Sequence, residues 1–171
     1  MELSRRTLGG QVLTGCWPTL ALVPQDRRAA RVLLVDDERR VLLQHCRDPA
    51  SPDAGSWWNT VGGGLDDGES SGQAAARELH EETGLLVGAG ALGEVVHRRV
   101  AEFSFGGVDY RQCEEYFLLR TQAFECAPDG HSDLEMMAVL GTRWWARDEL
   151  RVTGERVYPV ELADLLDRLV P

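Results

Sequence analysis

Between Gly63 and Leu85 the chain places a glycine, a glutamate and an acidic helical pattern at fixed distances. The residues are Gly63, five others, Glu69, seven others, then Arg77-Glu78-Leu79-His80-Glu81-Glu82-Thr83-Gly84-Leu85. Glu78, Glu81 and Glu82 are spaced i, i+3, i+4, so a helix carries all three on one face. Carboxylates that close repel one another, and a hard divalent cation with oxygen ligands resolves the conflict. Such an ion could activate a water and neutralise charge developing on phosphorus. Ser70 followed by Gln73 reads as a capping box, which predicts that the helix begins there. Ala75, Ala76 and Leu79 are its expected buried stripe, opposite the acidic face. Gly84 can take the left-handed conformation that ends a helix. Gly62, Gly63 and Gly64 let the backbone approach metal and phosphate closely. Arg77 is placed to hold a catalytic carboxylate by a charge-assisted hydrogen bond. A solvated surface helix could carry the same glutamates, but not for any reason that calls for the glycines and Arg77.

The pattern is G-x5-E-x7-R-E-U-x-E-E-x-G-U, with U aliphatic, and every specified position is filled. At ordinary residue frequencies a chance match in a chain this long is on the order of 10⁻⁸ to 10⁻⁷, so coincidence is set aside. The chain resembles the Nudix hydrolases, metal-dependent enzymes of diphosphate bonds. The resemblance runs from about Arg27 to Val170 and includes Arg111-Gln112, Glu114-Glu115-Tyr116-Phe117 and Arg143-Trp144-Trp145. It implies an α/β fold, the Nudix α/β/α sandwich with a mixed β-sheet. It implies Mg²⁺ as cofactor, with Mn²⁺ as a substitute, held by Glu78, Glu81, Glu82 and the carbonyl of Gly62. Arg77 would orient the glutamates rather than touch substrate. Family members draw the general base either from a box glutamate or from a late loop, where this chain offers Glu135. One departure is visible: many members have proline before the paired glycines, and this chain has Val61. The change removes no ligand.

At 171 residues the chain fits one domain with a good core. Residues 1–26 are expected to form an arm or strand, and residues 27–171 the Nudix domain. The formal net charge of −10 disfavours duplex nucleic acid and anionic membrane as partners. It does not disfavour a nucleotide, because a bound metal supplies local positive charge. A homodimer is compatible with the resemblance. Cys16, Cys46, Cys113 and Cys126 are scattered, with no C-x-x-C pair, which suggests a reduced, cytoplasmic setting. Ser4-Arg5-Arg6-Thr7-Leu8 and Leu13-Thr14-Gly15-Cys16 resemble export signals, but the stretch between them holds Gly9, Gly10 and Gln11, a poor apolar core.

Apolar, β-branched runs at Ala29 to Val35 and Val41 to Cys46 predict two strands around Asp36-Asp37-Glu38-Arg39. Trp57 to Val61 predicts a short strand feeding a glycine loop. Val95 to Phe105 and Val108 to Leu119 flank Gly106-Gly107, a hairpin signal. Leu140 to Ala146 predicts another strand, and Pro159 then opens an amphipathic closing helix with Leu162, Leu165, Leu166 and Leu169. For a nucleotide-type substrate, Trp57, Trp58, Phe103 and Tyr116 are candidate stacking faces. Arg47, Arg98 and Arg111 are candidate phosphate ligands. The expected function is Mg²⁺-dependent hydrolysis of a nucleoside diphosphate linked to a moiety X, by water attack on phosphorus. The alternative is a non-catalytic Nudix-fold module that senses a nucleotide. An isoprenoid diphosphate isomerase is less favoured, since its box is usually degenerate.

Overall fold

The turn Asp36-Asp37-Glu38-Arg39 reverses the chain between two strands, β1 (Gln25–Val35) and β2 (Val41–Arg47), with Val35 opposite Val41. Asp36 closes the turn by accepting from the Arg40 backbone at 2.8 Å and from Arg40 Nε at 2.7 Å. The computed structural model describes residues 23–128 and 137–171. The expected arm of residues 1–26 falls largely outside them, and β1 already begins at Gln25. Strand β3 (Ser56–Gly64) precedes helix α1 (Ser71–Thr83), and the hairpin β4 (His97–Phe105) and β5 (Val108–Arg120) follows. β6 (Val139–Trp145), α2 (Arg147–Val152), β7 (Val157–Tyr158) and α3 (Leu162–Leu169) complete the described elements. No described helix is long and apolar enough to cross a membrane.

The strands form one mixed sheet in the order β4-β5-β1-β2-β3-β7, with β6 antiparallel on β2. β1 lies at its centre, parallel to β5 along its whole length and antiparallel to β3 from Ala29 to Val32. Burial on both faces explains why β1 reads as a continuous apolar run. Ala30, Val32 and Leu34 pack with Ala74, Ala75 and Leu79 of α1, while Leu33 and Val35 pack with Leu162, Leu165 and Leu166 of α3. The result is the expected α/β/α sandwich.

Four details depart from the sequence reading. The glycine run is not a loop: Gly62, Gly63 and Gly64 continue β3 and pair with Arg31, Ala30 and Ala29. Val61 is fully buried opposite Val32, so its place before the glycines belongs to the ladder. On α1, Ala74 rather than Ala76 completes the buried stripe, and Glu78 and Glu82 are themselves buried. The acidic face therefore adjoins the apolar stripe instead of opposing it, because the helix presses its edge against the glycines. Pro159 does not open the closing helix, which starts at Leu162. The short α2 and β7 were not foreseen, since six and two residues are too few to show a period.

The predicted ends of α1 are both present. Ser70 and Gln73 form the capping box, and Gly84 closes the helix at φ 78°. A Cβ at Gly84 would also lie 2.6 Å from the Ala127 carbonyl oxygen, which approaches as the Ala127 N–H donates to Thr83. Gly84→Ala should therefore lower unfolding free energy by about 1–3 kcal/mol in a denaturant titration. A loss below about 0.5 kcal/mol would mean that the helix end carries no such constraint.

Candidate active site

Helix α1 meets β3 where β3 has no side chains. The Gly62 N–H donates to Glu82 Oε2 at 2.6 Å, and a Cβ at Gly63 would lie 2.5 Å from Glu78 Oε1. Gly62 has φ 124°, and any Cβ there would collide with the Ala30 carbonyl. Two buried carboxylates thus rest directly on backbone. Burial pushes the Glu78 carboxyl above its ordinary pKa, more than Arg77 pulls it down.

Arg77 ties this arrangement together. It grips Glu69 through Nε and Nη2 at 3.1 and 3.0 Å, a two-point contact that lysine cannot make. Its Nη1 donates to Glu78 Oε1 at 2.9 Å and Glu81 Oε2 at 3.0 Å, and Nη2 reaches the Gly64 carbonyl at 2.9 Å. The hydrogen bonds to Glu69, then the charges of Glu78 and Glu69, raise its pKa further above the arginine range. Arg77 is therefore committed to the protein's own carboxylates.

Donor chemistry fits a hard cation: Glu78, Glu81 and Glu82 offer only oxygens, and the last turns of α1 hold them together. Among the described residues no three acidic, histidine or cysteine side chains converge on one point. Arg77 draws Glu78 and Glu81 while Glu82 faces Gly62. That arrangement suits Mg²⁺, which is usually bound by one or two carboxylates and completes its shell with waters and substrate phosphates. The Gly62 carbonyl accepts from Arg31 Nη1, which also donates to the Thr60 carbonyl at 3.2 Å. A carbonyl oxygen has two lone pairs, so this bond leaves one for another ligand.

Arg31 belongs to a second charge network that the sequence reading missed. Its Nε lies 3.5 Å from Glu114 Oε1, and Glu114 also receives Arg99 Nε at 2.5 Å, Tyr116 OH at 2.6 Å and Gln112 Nε2 at 2.7 Å. Burial works against the Glu114 charge, but Arg31, Tyr116 and Arg99 outweigh it and hold the carboxyl below its ordinary pKa. Burial likewise opposes the Arg31 charge, and Glu114, Tyr116, Glu82 and Glu78 overcome it. The available signal was charge inside an apolar run: Arg27 and Arg31 sit four apart on β1, hence on one face.

A cleft of about 670 Å³ opens over Glu78 and Glu82. Trp57 and Phe103 line it, with Gln44 and Gln112, each of which keeps a buried amide atom without a partner among the described residues. A second cleft, which shares Arg27, Gly64 and Glu78 with the first, is lined by Arg28, Asp66, Glu69 and Arg111 and by no aromatic ring. The remaining candidates are placed elsewhere. Trp58 is core, stacked on His45 at 4.5 Å, and Tyr116 is fully buried beneath Glu114. Neither is a stacking face, because each ring is consumed by packing. Arg47 donates to the Met137 carbonyl at 3.0 Å and Arg98 to Glu115 at 2.9 Å, outside both clefts. Arg111 lines the second cleft and pairs with Asp26 at 3.4 Å. Glu135 lies outside the described residues. Cys46 lines the first cleft, but burial pushes its thiol up to about 12, which removes it as a nucleophile.

The family model described as NUDIX domain matches residues 25–165. An RNA pyrophosphohydrolase from Sphingopyxis alaskensis is 30% identical over 117 residues, 62% of this chain and 70% of that protein. An octanoyltransferase from Myxococcus xanthus is 45% identical over 73 residues, 38% of this chain. Against that relative the match spans only about a fifth of its length, 19%. Among solved structures, a MutT protein from Methanosarcina mazei Go1 superposes with TM-score 0.65 at 16% identity, covering 86% of this chain and 95% of that one. The NUDIX domain of Shewanella oneidensis NrtR, complexed with ADP ribose, gives TM-score 0.61 at 15% identity, covering 87% and 91%.

The Glu114 network makes a stability prediction. Removing its charge leaves Arg31 and Arg99 buried against a neutral amide, so Glu114→Gln should cost about 3–5 kcal/mol at pH 7. The wild-type pKa is depressed on folding. Its stabilisation is thus complete above the unfolded value of about 4.3 and is lost as pH falls through the lower folded value. Denaturant unfolding should show the gap between variant and wild type closing only in that acid range. Equal stabilities at pH 7 would rule the network out as a structural anchor.

Proposed function

This chain belongs to the Nudix family, and we propose that it is a Mg²⁺-dependent pyrophosphohydrolase of a nucleoside diphosphate linked to a moiety X. The observation that carries the reading is the intact box in three dimensions: Glu78 and Glu82 seated on the Gly62 and Gly63 backbone, with Arg77 holding Glu78 and Glu81. A module that only senses nucleotides has no need of all three glutamates, and none is lost. The relative named RNA pyrophosphohydrolase and the neighbour bound to ADP ribose support a phosphoric anhydride between nucleotide and X as the bond attacked.

In this reading Glu78, Glu81, Glu82 and the Gly62 carbonyl would hold the cation, with waters and substrate phosphates completing its shell. When bound, the ion supplies a polarised water and neutralises charge on the phosphoryl oxygens. Arg77 fixes the carboxylates before substrate arrives, so that little reorganisation is left for the reaction itself. Trp57 and Phe103 provide apolar faces for the base at the edge of the cleft. Water oxygen bonds to phosphorus, the bridging P–O bond breaks, and its electron pair leaves on the second phosphate. The water proton passes to a carboxylate, either a box glutamate or Glu135. The products are a nucleotide and a phosphorylated X.

Two measurements test this. Glu82→Gln keeps shape while removing charge, and should lower kcat at least ~100-fold with little change in unfolding. Undiminished turnover in that variant, or after complete chelation of divalent ions, would sink the assignment. Arg77→Lys keeps the charge but loses the two-point grip on Glu69, so kcat should fall more than KM rises. A pure KM effect would place Arg77 on substrate instead.

A further inference from the structure

We propose that Arg27 is the diphosphate ligand of this site, with its guanidinium binding non-bridging phosphoryl oxygens where the substrate passes between the two clefts. The inference rests on the pyrophosphohydrolase reading and assigns a residue that the sequence motifs do not mark. Arg27, Gly64 and Glu78 are common to the linings of both clefts. A substrate with one moiety in each cleft must cross there, and the part that crosses beside Glu78 is the diphosphate.

Arg27 is suited to that position by what it lacks. All 18 basic residues of the chain are arginine, so no lysine competes for the role. Among the described residues, those arginines not fully exposed are engaged by carboxylates or carbonyls, as Arg31, Arg40, Arg77, Arg99 and Arg147 show. Arg27 is half-buried, and no hydrogen bond or ion pair joins its side chain to a described residue. Burial, and then the Arg31 charge on the same strand face, pull its pKa down, more than Tyr110 and the carboxylates of Glu78 and Glu114 raise it. A partly desolvated charge without a partner is costly to the fold, and a diphosphate would offset that cost.

Position is fixed by two neighbours. The guanidinium carbon lies 5.3 Å from the centre of the Tyr110 ring, which holds the cation by its face and leaves the N–H edge free. On the other side, a methyl group at Gly64 would lie 2.9 Å from Arg27 Nη2. The third glycine of the run therefore makes room for arginine, where the first two make room for carboxylates. Arg151 on α2 is exposed, pairs with Asp164 at 3.3 Å and lines neither cleft, so it offers an equal charge away from the site.

The test is calorimetric titration of methylenediphosphonate, a diphosphate that cannot be hydrolysed, into wild type, Arg27→Gln, Arg27→Lys and Arg151→Gln with Mg²⁺ present. Arg27→Gln should weaken binding about 10- to 100-fold, the worth of one or two charge-assisted hydrogen bonds. Arg27→Lys should recover part of the loss, and Arg151→Gln should stay within about 2-fold of wild type. Thermal unfolding of each variant checks the fold, and the lysine variant keeps a cation over Tyr110 if glutamine disturbs it. No binding by wild type, unchanged affinity in both Arg27 variants, or an equal loss in Arg151→Gln would overturn the assignment. Arg27-dependent binding without hydrolysis of any phosphoric anhydride would leave Arg27 in place and reject the pyrophosphohydrolase reading.

Discussion

The hold of Arg77 on Glu69, Glu78, Glu81 and the Gly64 carbonyl is the interaction on which the rest of the site depends. It joins the segment before α1, the body of α1 and the end of β3 through one planar cation. Without it, Glu78 and Glu81 would repel and α1 would lose one of its polar attachments to β3, beside the Gly62 bond to Glu82. The glycines let the helix edge sit directly on backbone, and burial of Glu78 and Glu82 follows from that closeness. Burial in turn makes the carboxylates strong partners for a cation, since their field is little screened by water.

Excess negative charge is handled at the centre of the molecule by arginines from β1 and β4. Glu114 is the hub: it binds Arg99 and lies beside Arg31, and Arg31 carries the connection on to the Thr60 and Gly62 carbonyls. The carboxylates of α1 and this hub therefore share a boundary at Gly62. Although the chain has a net charge of −10, Arg27, Arg31 and Arg99 line the first cleft together with Glu78 and Glu82.

The likeness of the solved structures shows the sandwich itself, at identities too low to carry more than the fold. The walls of both clefts are built from strands distant in sequence. Trp57, Phe103, Gln44 and Gln112 come from four different strands, and the second cleft draws on β1, β5 and the segment after β3.

Local chemistry is what the sequence alone determined. Capping by Ser70 and Gln73, the left-handed end at Gly84, the turn at Asp36 and the hairpin at Gly106-Gly107 each depend on residues within a few positions, so their physics is complete in a short window. The glutamate spacing and Arg77 are legible for the same reason, since one helix and its approach contain them. Tertiary structure alone decided which side chains share a cleft. Trp57 and Trp58 are adjacent and chemically alike, yet alternation on β3 sends one to the cleft and the other to the core. Arg98 and Arg99 divide in the same way, one to Glu115 and one to the buried Glu114. The glycine run read as a loop because glycine has weak strand preference, and only pairing with β1 made it a strand. Whether a cation is spent on a partner or left for a ligand, as with Arg31 and Arg27, depends on which carboxylate a distant strand brings near, and no local pattern records that.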